Sequence, residues 1–189
     1  MKMLELFEKL THNNYNNTFG KVSWCIDGDM MLFQCSKEIE DWKNNFNIIP
    51  ALLILNHHII ITTRGWKKVW KEIKGIVDAF PEVKNYAGYS CGCIPAQFAS
   101  IYTGKHADVF ASPNIAIMTK RVKRLFKNVN YYQNENDIVT DIPFIFGKGE
   151  NVFVMKNAYK KPDGVSELEW DTGHSPKQYR LALADLKEM

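Results

Sequence analysis

Charge of one sign is nearly absent from the excess: 24 Lys and Arg stand against 21 Asp and Glu over 189 residues, a net +3. That balance excludes a dedicated nucleic-acid binder, which needs a strongly basic face. The cysteines number only four. Cys25, Cys35, Cys91 and Cys93 form no CxxC pair, and Cys91 and Cys93 lie too close together to staple much chain. The histidines His12, His57, His58, His106 and His174 are scattered without zinc-ligand spacing, so no metal and no cofactor is expected. No run reaches the ~20 apolar residues that span a bilayer, since Ile48 to Ile61 is interrupted by Pro50, Asn56, His57 and His58. The first ten residues alternate charged and apolar side chains, unlike a signal peptide. Internal repeats and low-complexity linkers are missing too. A cytoplasmic protein with reduced thiols is the expectation, built as a single domain over residues 1–189.

What remains is ordinary globular material. Hydrophobic residues make up 46% and aromatics 13%, enough to fill a core and too much for a disordered chain.

Along the chain, strands alternate with helices. A first helix is predicted over 2–10, then an Asn-rich loop. Val22 to Ile26 and Met30 to Gln34 flank Asp27-Gly28-Asp29, a hairpin signal. A helix over 39–46 follows, with Ser36 placed to cap it. Ile48 to Leu55 keeps neither period and reads as a core segment, or as a flap or acyl-pocket wall. Ile59 to Thr63 is β-branched throughout and reads as a buried strand. Trp66, Val69, Trp70, Ile73, Val77 and Phe80 then make one apolar stripe on a lysine-rich helix that Pro81 ends. Beyond it the spacing predicts strand 83–87, helix 91–102, strand 109–111, helix 114–126, strand 129–132, a hairpin within 144–155 and a last helix over 176–187. This is an α/β pattern: a mixed, mostly parallel sheet with helices on both faces.

Gly88-Tyr89-Ser90-Cys91-Gly92 is a GxSxG between a predicted strand and a predicted helix. A nucleophilic serine at the carboxyl edge of a sheet needs a turn so sharp that its flanks are glycine. Chance gives the pattern an expectation of roughly 2% in this composition. Its serine needs a base and an acid in the chain order Ser, Asp or Glu, His. His12, His57 and His58 precede Ser90, and His106 follows too closely. His174, in a loop before the last helix, is left. For the acid, the loop after strand 129–132 offers Asp137, with Asp141 and Glu135 behind it. Lys120, Arg121, Lys123, Arg124 and Lys127 crowd one helix, a solvated face whose functional reading is weak contact with a lipid surface.

These residues together resemble the class 3 lipase family of α/β-hydrolases, with matches from about Trp24 to Tyr179. Phe33-Gln34-Cys35-Ser36 is similar to that family's apolar-x-Gly-Ser/Thr. Asp41-Trp42 with Asn45 resembles its next segment. Thr63-Arg64-Gly65-Trp66 looks like its His-x-Gly-Phe, Asn136-Asp137-Ile138-Val139 with Pro143 like its acid loop, and His174 with Tyr179 like its terminal segment. The chain departs from the pattern at Tyr89 and Thr63, where the family has His, and at Cys35 and Cys93, where it has Gly. Pro95 in the elbow helix is a further departure.

The resemblance implies an α/β-hydrolase three-layer sandwich, with Ser90 as nucleophile, Asp137 as acid and His174 as base. It implies an oxyanion hole from the N–H groups of Ser36 and Cys91, and a serine hydrolase acting on lipid or other acyl esters. The rival readings are a binding module that kept the fold, and another acyl hydrolase such as a phospholipase, thioesterase or amidase.

Overall fold

A computed structural model describes residues 2–12, 14–20, 22–34, 49–55, 57–156 and 173–185. The expected helix over 39–46 lies outside the described residues, as do Cys35 and Ser36 of the expected oxyanion strand.

Seven strands form one sheet in the order β1-β2-β3-β6-β7-β8-β9. They are β1 (Asn17–Phe19), β2 (Val22–Asp27), β3 (Met30–Phe33), β6 (Asn85–Tyr89), β7 (His106–Phe110), β8 (Val129–Asn134) and β9 (Val152–Met155). β1, β2 and β3 pair antiparallel, with Gly28 at φ +62° in the predicted turn. From β3 onward every pairing is parallel, β3 meeting β6 in the register Phe33↔Gly88. That register sets the end of β3 directly against the elbow.

Strand alternation sends side chains to two cores. Met31, Phe33, Tyr86, Val109, Val129 and Tyr131 pack on one face under α2 (Arg64–Ala79) and α3 (Cys93–Thr103). Leu32, Ala87, Phe110 and Met155 pack on the other, under Leu6, Phe7 and Leu10 of α1 (Met3–His12) and Tyr179, Ala182 and Leu183 of α5 (Pro176–Asp185). The three layers follow.

α2 carries the predicted stripe, with Trp66, Val69, Ile73 and Val77 buried. Thr63, one of the departures from the family pattern, is its N-cap and accepts from the Trp66 N–H at 3.2 Å. β4 (Pro50–Leu55) and β5 (His58–Thr63) make a separate two-stranded ribbon, so Pro50 to Leu55 is a strand rather than an aperiodic segment.

The structure corrects several expected elements. Asn17–Phe19 is a short edge strand that begins at the last residue of the Asn-rich loop expected over 13–17. β6 begins two residues later than expected and β7 three residues earlier. Residues 114–126 do not form one helix. Only Lys120–Lys123 is α-helical (α4), capped by Thr119 and followed by a 3₁₀ turn at Arg124–Phe126. The stretch before it is not helical because its backbone has partners elsewhere: the Ile117 N–H donates to Ile61 O and the Ile115 N–H to Gly147 O. Likewise 144–155 is no hairpin, since its one strand, β9, runs parallel to β8.

Candidate active site

β6 ends at Tyr89, and Ser90 turns the chain at φ +55° into a 3₁₀ turn, Ser90–Gly92, that leads into α3. A left-handed serine is uncommon and marks the sharpness of the turn. Both flanking glycines are needed for contact. A Cβ on Gly88 would stand 2.2 Å from the Gly92 carbonyl oxygen, and one on Gly92 would stand 2.3 Å from the Phe33 carbonyl oxygen. Cys93 fills buried space behind the turn, its thiol donating to Phe110 O at 3.0 Å and Gly88 O at 3.3 Å. Pro95 is the third residue of α3, where no helical N–H partner is lost.

The loop before α5 brings His174 to this turn. Ser90 Oγ lies 2.9 Å from His174 Nε2. On the far side of the ring, Nδ1 lies 3.0 Å from both carboxylate oxygens of Asp137. Of the three carboxylates the sequence left open, only Asp137 meets the imidazole; Glu135 and Asp141 are exposed.

Asp137 is held by more than His174. Its side chain is fully buried, and a buried carboxylate needs donors. The Val139 N–H donates to Oδ1 at 3.0 Å and the Tyr179 hydroxyl to Oδ2 at 2.7 Å. Tyr179 in turn accepts from the Asn134 N–H at 3.1 Å. Burial, and then the Asp137 charge beside it, pushes the Tyr179 phenol well above its usual pKa, so it remains a donor.

Gly173 lets the two loops meet. It sits at φ +61°, and a Cβ there would come within 2.7 Å of the Asn136 backbone. Its carbonyl accepts from Asn134 Nδ2 at 2.9 Å. Tyr89 clamps the histidine from the opposite side: its ring stacks on the imidazole at 5.6 Å and 19°, and its hydroxyl donates to the His174 carbonyl.

Lys148 braces the acid turn from beneath. Its ammonium donates to Ser112 O at 3.0 Å, to Gln133 Oε1 at 2.9 Å and to Thr140 O. Burial lowers its pKa to about 8, against the upward pull of Asp141 and Asp137.

The remaining histidines stand elsewhere. His12 joins Glu8 and Arg180, His58 accepts from Arg121, and His106 lies at the amino end of β7 beside Asp108. Cys91 occupies the turn after Ser90 and is buried. Among the described residues, no cluster of His, Cys, Asp and Glu is arranged to hold a metal, and no helix is long and apolar enough to cross a membrane.

No family profile matches the sequence, and no curated protein matches it. Solved structures do. A mono- and diacylglycerol lipase from Aspergillus oryzae superposes with a TM-score of 0.55 at 14% identity, over 90% of this chain and 85% of that one. The triacylglyceride lipase of Rhizomucor miehei gives 0.52 at 14% identity, over 73% of this chain and 62% of that one. A triacylglycerol lipase described as having a serine-protease triad as its catalytic centre gives 0.53 at 15% identity, over 73% and 62%. The chain thus spans just over three fifths of the length of the latter two. What these matches share with it is the fold: an α/β-hydrolase sandwich of the fungal class 3 lipase type.

Proposed function

We propose that this chain is a serine hydrolase of carboxylic esters, acting on acylglycerol-like lipid esters or related acyl esters through an acyl-enzyme. One observation carries the reading: the hydrogen-bond relay from Ser90 Oγ through His174 to the buried Asp137 carboxylate. In that relay His174 Nε2 accepts the Ser90 proton as Oγ attacks the ester carbonyl, and Asp137 fixes the Nδ1–H tautomer. The imidazolium then protonates the departing alcohol. Water, deprotonated by the same nitrogen, releases the acid and restores Ser90. The Cys91 N–H, at the start of the elbow helix, and the Ser36 N–H are assigned to the oxyanion. A lost donor there costs ~3–4 kcal/mol of transition-state stabilisation.

A fluorophosphonate probe followed by intact mass tests the reading. Wild type gains one adduct and Ser90→Ala none, while hydrolysis of a p-nitrophenyl ester falls at least ~10⁴-fold in Ser90→Ala. Folded wild-type protein that takes no label would refute it, and a label that survives Ser90→Ala would move the nucleophile elsewhere. An ester series from acetate to palmitate then separates a preference for short acyl chains from one for long.

A further inference from the structure

The β4–β5 ribbon is apolar on both faces, which packing alone does not require. Leu53, Leu55 and Ile60 turn inward and are buried against the core of α2. The outer face pairs Leu52 with Ile61 and Ile54 with Ile59 across the strands. Those four are 60%, 37%, 71% and 67% exposed. A solvated outer face would carry polar residues at such positions.

This face continues toward the candidate site. Ile117, itself exposed, bonds through its N–H to Ile61 O, and Ala116 bridges antiparallel to Gly147. Just before Gly147 come Phe144 and Ile145, 79% and 68% exposed, on the segment that follows the Asp137 turn. Backbone bonds therefore link the ribbon, Ile117 and the segment of Phe144 and Ile145 that follows the Asp137 turn.

Charge on the two segments that carry the ribbon and Ile117 is of one sign, while the exposed Asp141 and Glu150 flank Phe144 and Ile145. Residues 49–71 contain Arg64, Lys67, Lys68 and Lys71 and no acid. Residues 115–127 contain five more cations and again no acid. Nine of the 24 cations thus fall in these two segments, leaving 15 against 21 acids, or −6, in the rest of the chain. Arg121 Nε donates to His58 Nδ1 at 2.9 Å, which ties the basic segment to the ribbon.

We propose that the outer face of the β4–β5 ribbon, with Ile117, Phe144 and Ile145 and the cations of α4, is a docking surface for an anionic lipid bilayer. Aliphatic side chains enter the acyl boundary while the cations meet the headgroup phosphates. A second copy of the chain is disfavoured as occupant, because two such surfaces would bring like charges together. Nucleic acid would use the cations and leave the exposed Leu and Ile without a role. The docking does not depend on Ser90 being a nucleophile.

Vesicle co-sedimentation decides it, with phosphatidylcholine vesicles set against vesicles of phosphatidylcholine and phosphatidylglycerol. Wild type and Ser90→Ala are expected to sediment alike with the anionic vesicles, and at least tenfold more weakly with the neutral ones. Lys120→Glu with Arg124→Glu should weaken anionic binding by at least ~25-fold, about fivefold for each cation lost. Ile54→Ser with Ile59→Ser should lower binding to both vesicle types by at least tenfold. Both double variants change exposed positions, and unaltered melting and fluorophosphonate labelling in vesicle-free buffer would show them folded. Equal binding by wild type and either variant would overturn the proposal, as would no vesicle binding at all. So would a wild-type dimer in light scattering that Ile54→Ser with Ile59→Ser dissolves, or charge-dependent binding to an oligonucleotide with none to vesicles.

Discussion

Tyr89 occupies the elbow position where the family pattern has histidine, and it grips His174 twice, by ring stacking and by its hydroxyl. Tyr89→Phe keeps the ring and removes one hydrogen bond worth about 1 kcal/mol. The expected result is about a fivefold slower fluorophosphonate reaction, with Tyr89→Ala slower still. Tyr179→Phe removes a donor from a buried carboxylate, a charge-assisted bond worth about 1.5–3 kcal/mol. Urea denaturation should report that loss, and ester turnover should fall about tenfold or more. That Ser90, His174 and Asp137 come together was readable from turn chemistry and chain order. Tyr89 and Tyr179 were not legible as supports. Their partners lie 85 and 42 residues away, and nothing local distinguishes them from core aromatics.

Elements show the same division. The hairpin at Gly28 and the stripe of α2 were readable, since each is set by neighbours along the chain. Residues 114–126 were misread as one helix because their apolar and basic pattern is helical, while Ile115 and Ile117 bond to distant strands and loops instead. Lys148 gave no signal at all: a lone lysine in a loop reads as solvated, yet this one holds the acid turn, the end of β8 and the loop after β7 together. Its pKa drops from 10.5 to about 8 on folding. Between those values the unfolded chain binds more protons than the native one, so this group makes stability rise with pH. Replacing it by methionine leaves buried carbonyls without a donor, at about 1–3 kcal/mol. In urea titrations at pH 7.5 and pH 9.5, the deficit of Lys148→Met relative to wild type should therefore be larger at the higher pH, which lies between the folded and unfolded pKa values. A constant deficit would mean that the lysine is not titrating in this window.

At the scale of the whole molecule, the sandwich was legible from the alternation of elements, whereas the service of α1 to the site was not. Phe7 is fully buried and meets Tyr89 edge-on at 5.3 Å and Tyr179 stacked at 5.7 Å. Phe7→Ala should cost about 3–5 kcal/mol in urea denaturation. It should also slow probe labelling, because both tyrosines around His174 lose their backing. α1 also meets α5 through Arg180, which donates to Thr11 Oγ1 at 3.0 Å and pairs with Glu8 at 3.0 Å. α1 is thus the seat of α5. During synthesis the serine turn is made with residue 90 but meets its imidazole only after residue 174 has emerged and α5 has settled on α1. On the proposed reading, a growing chain therefore carries Ser90 unarmed over the 84 residues that separate it from His174.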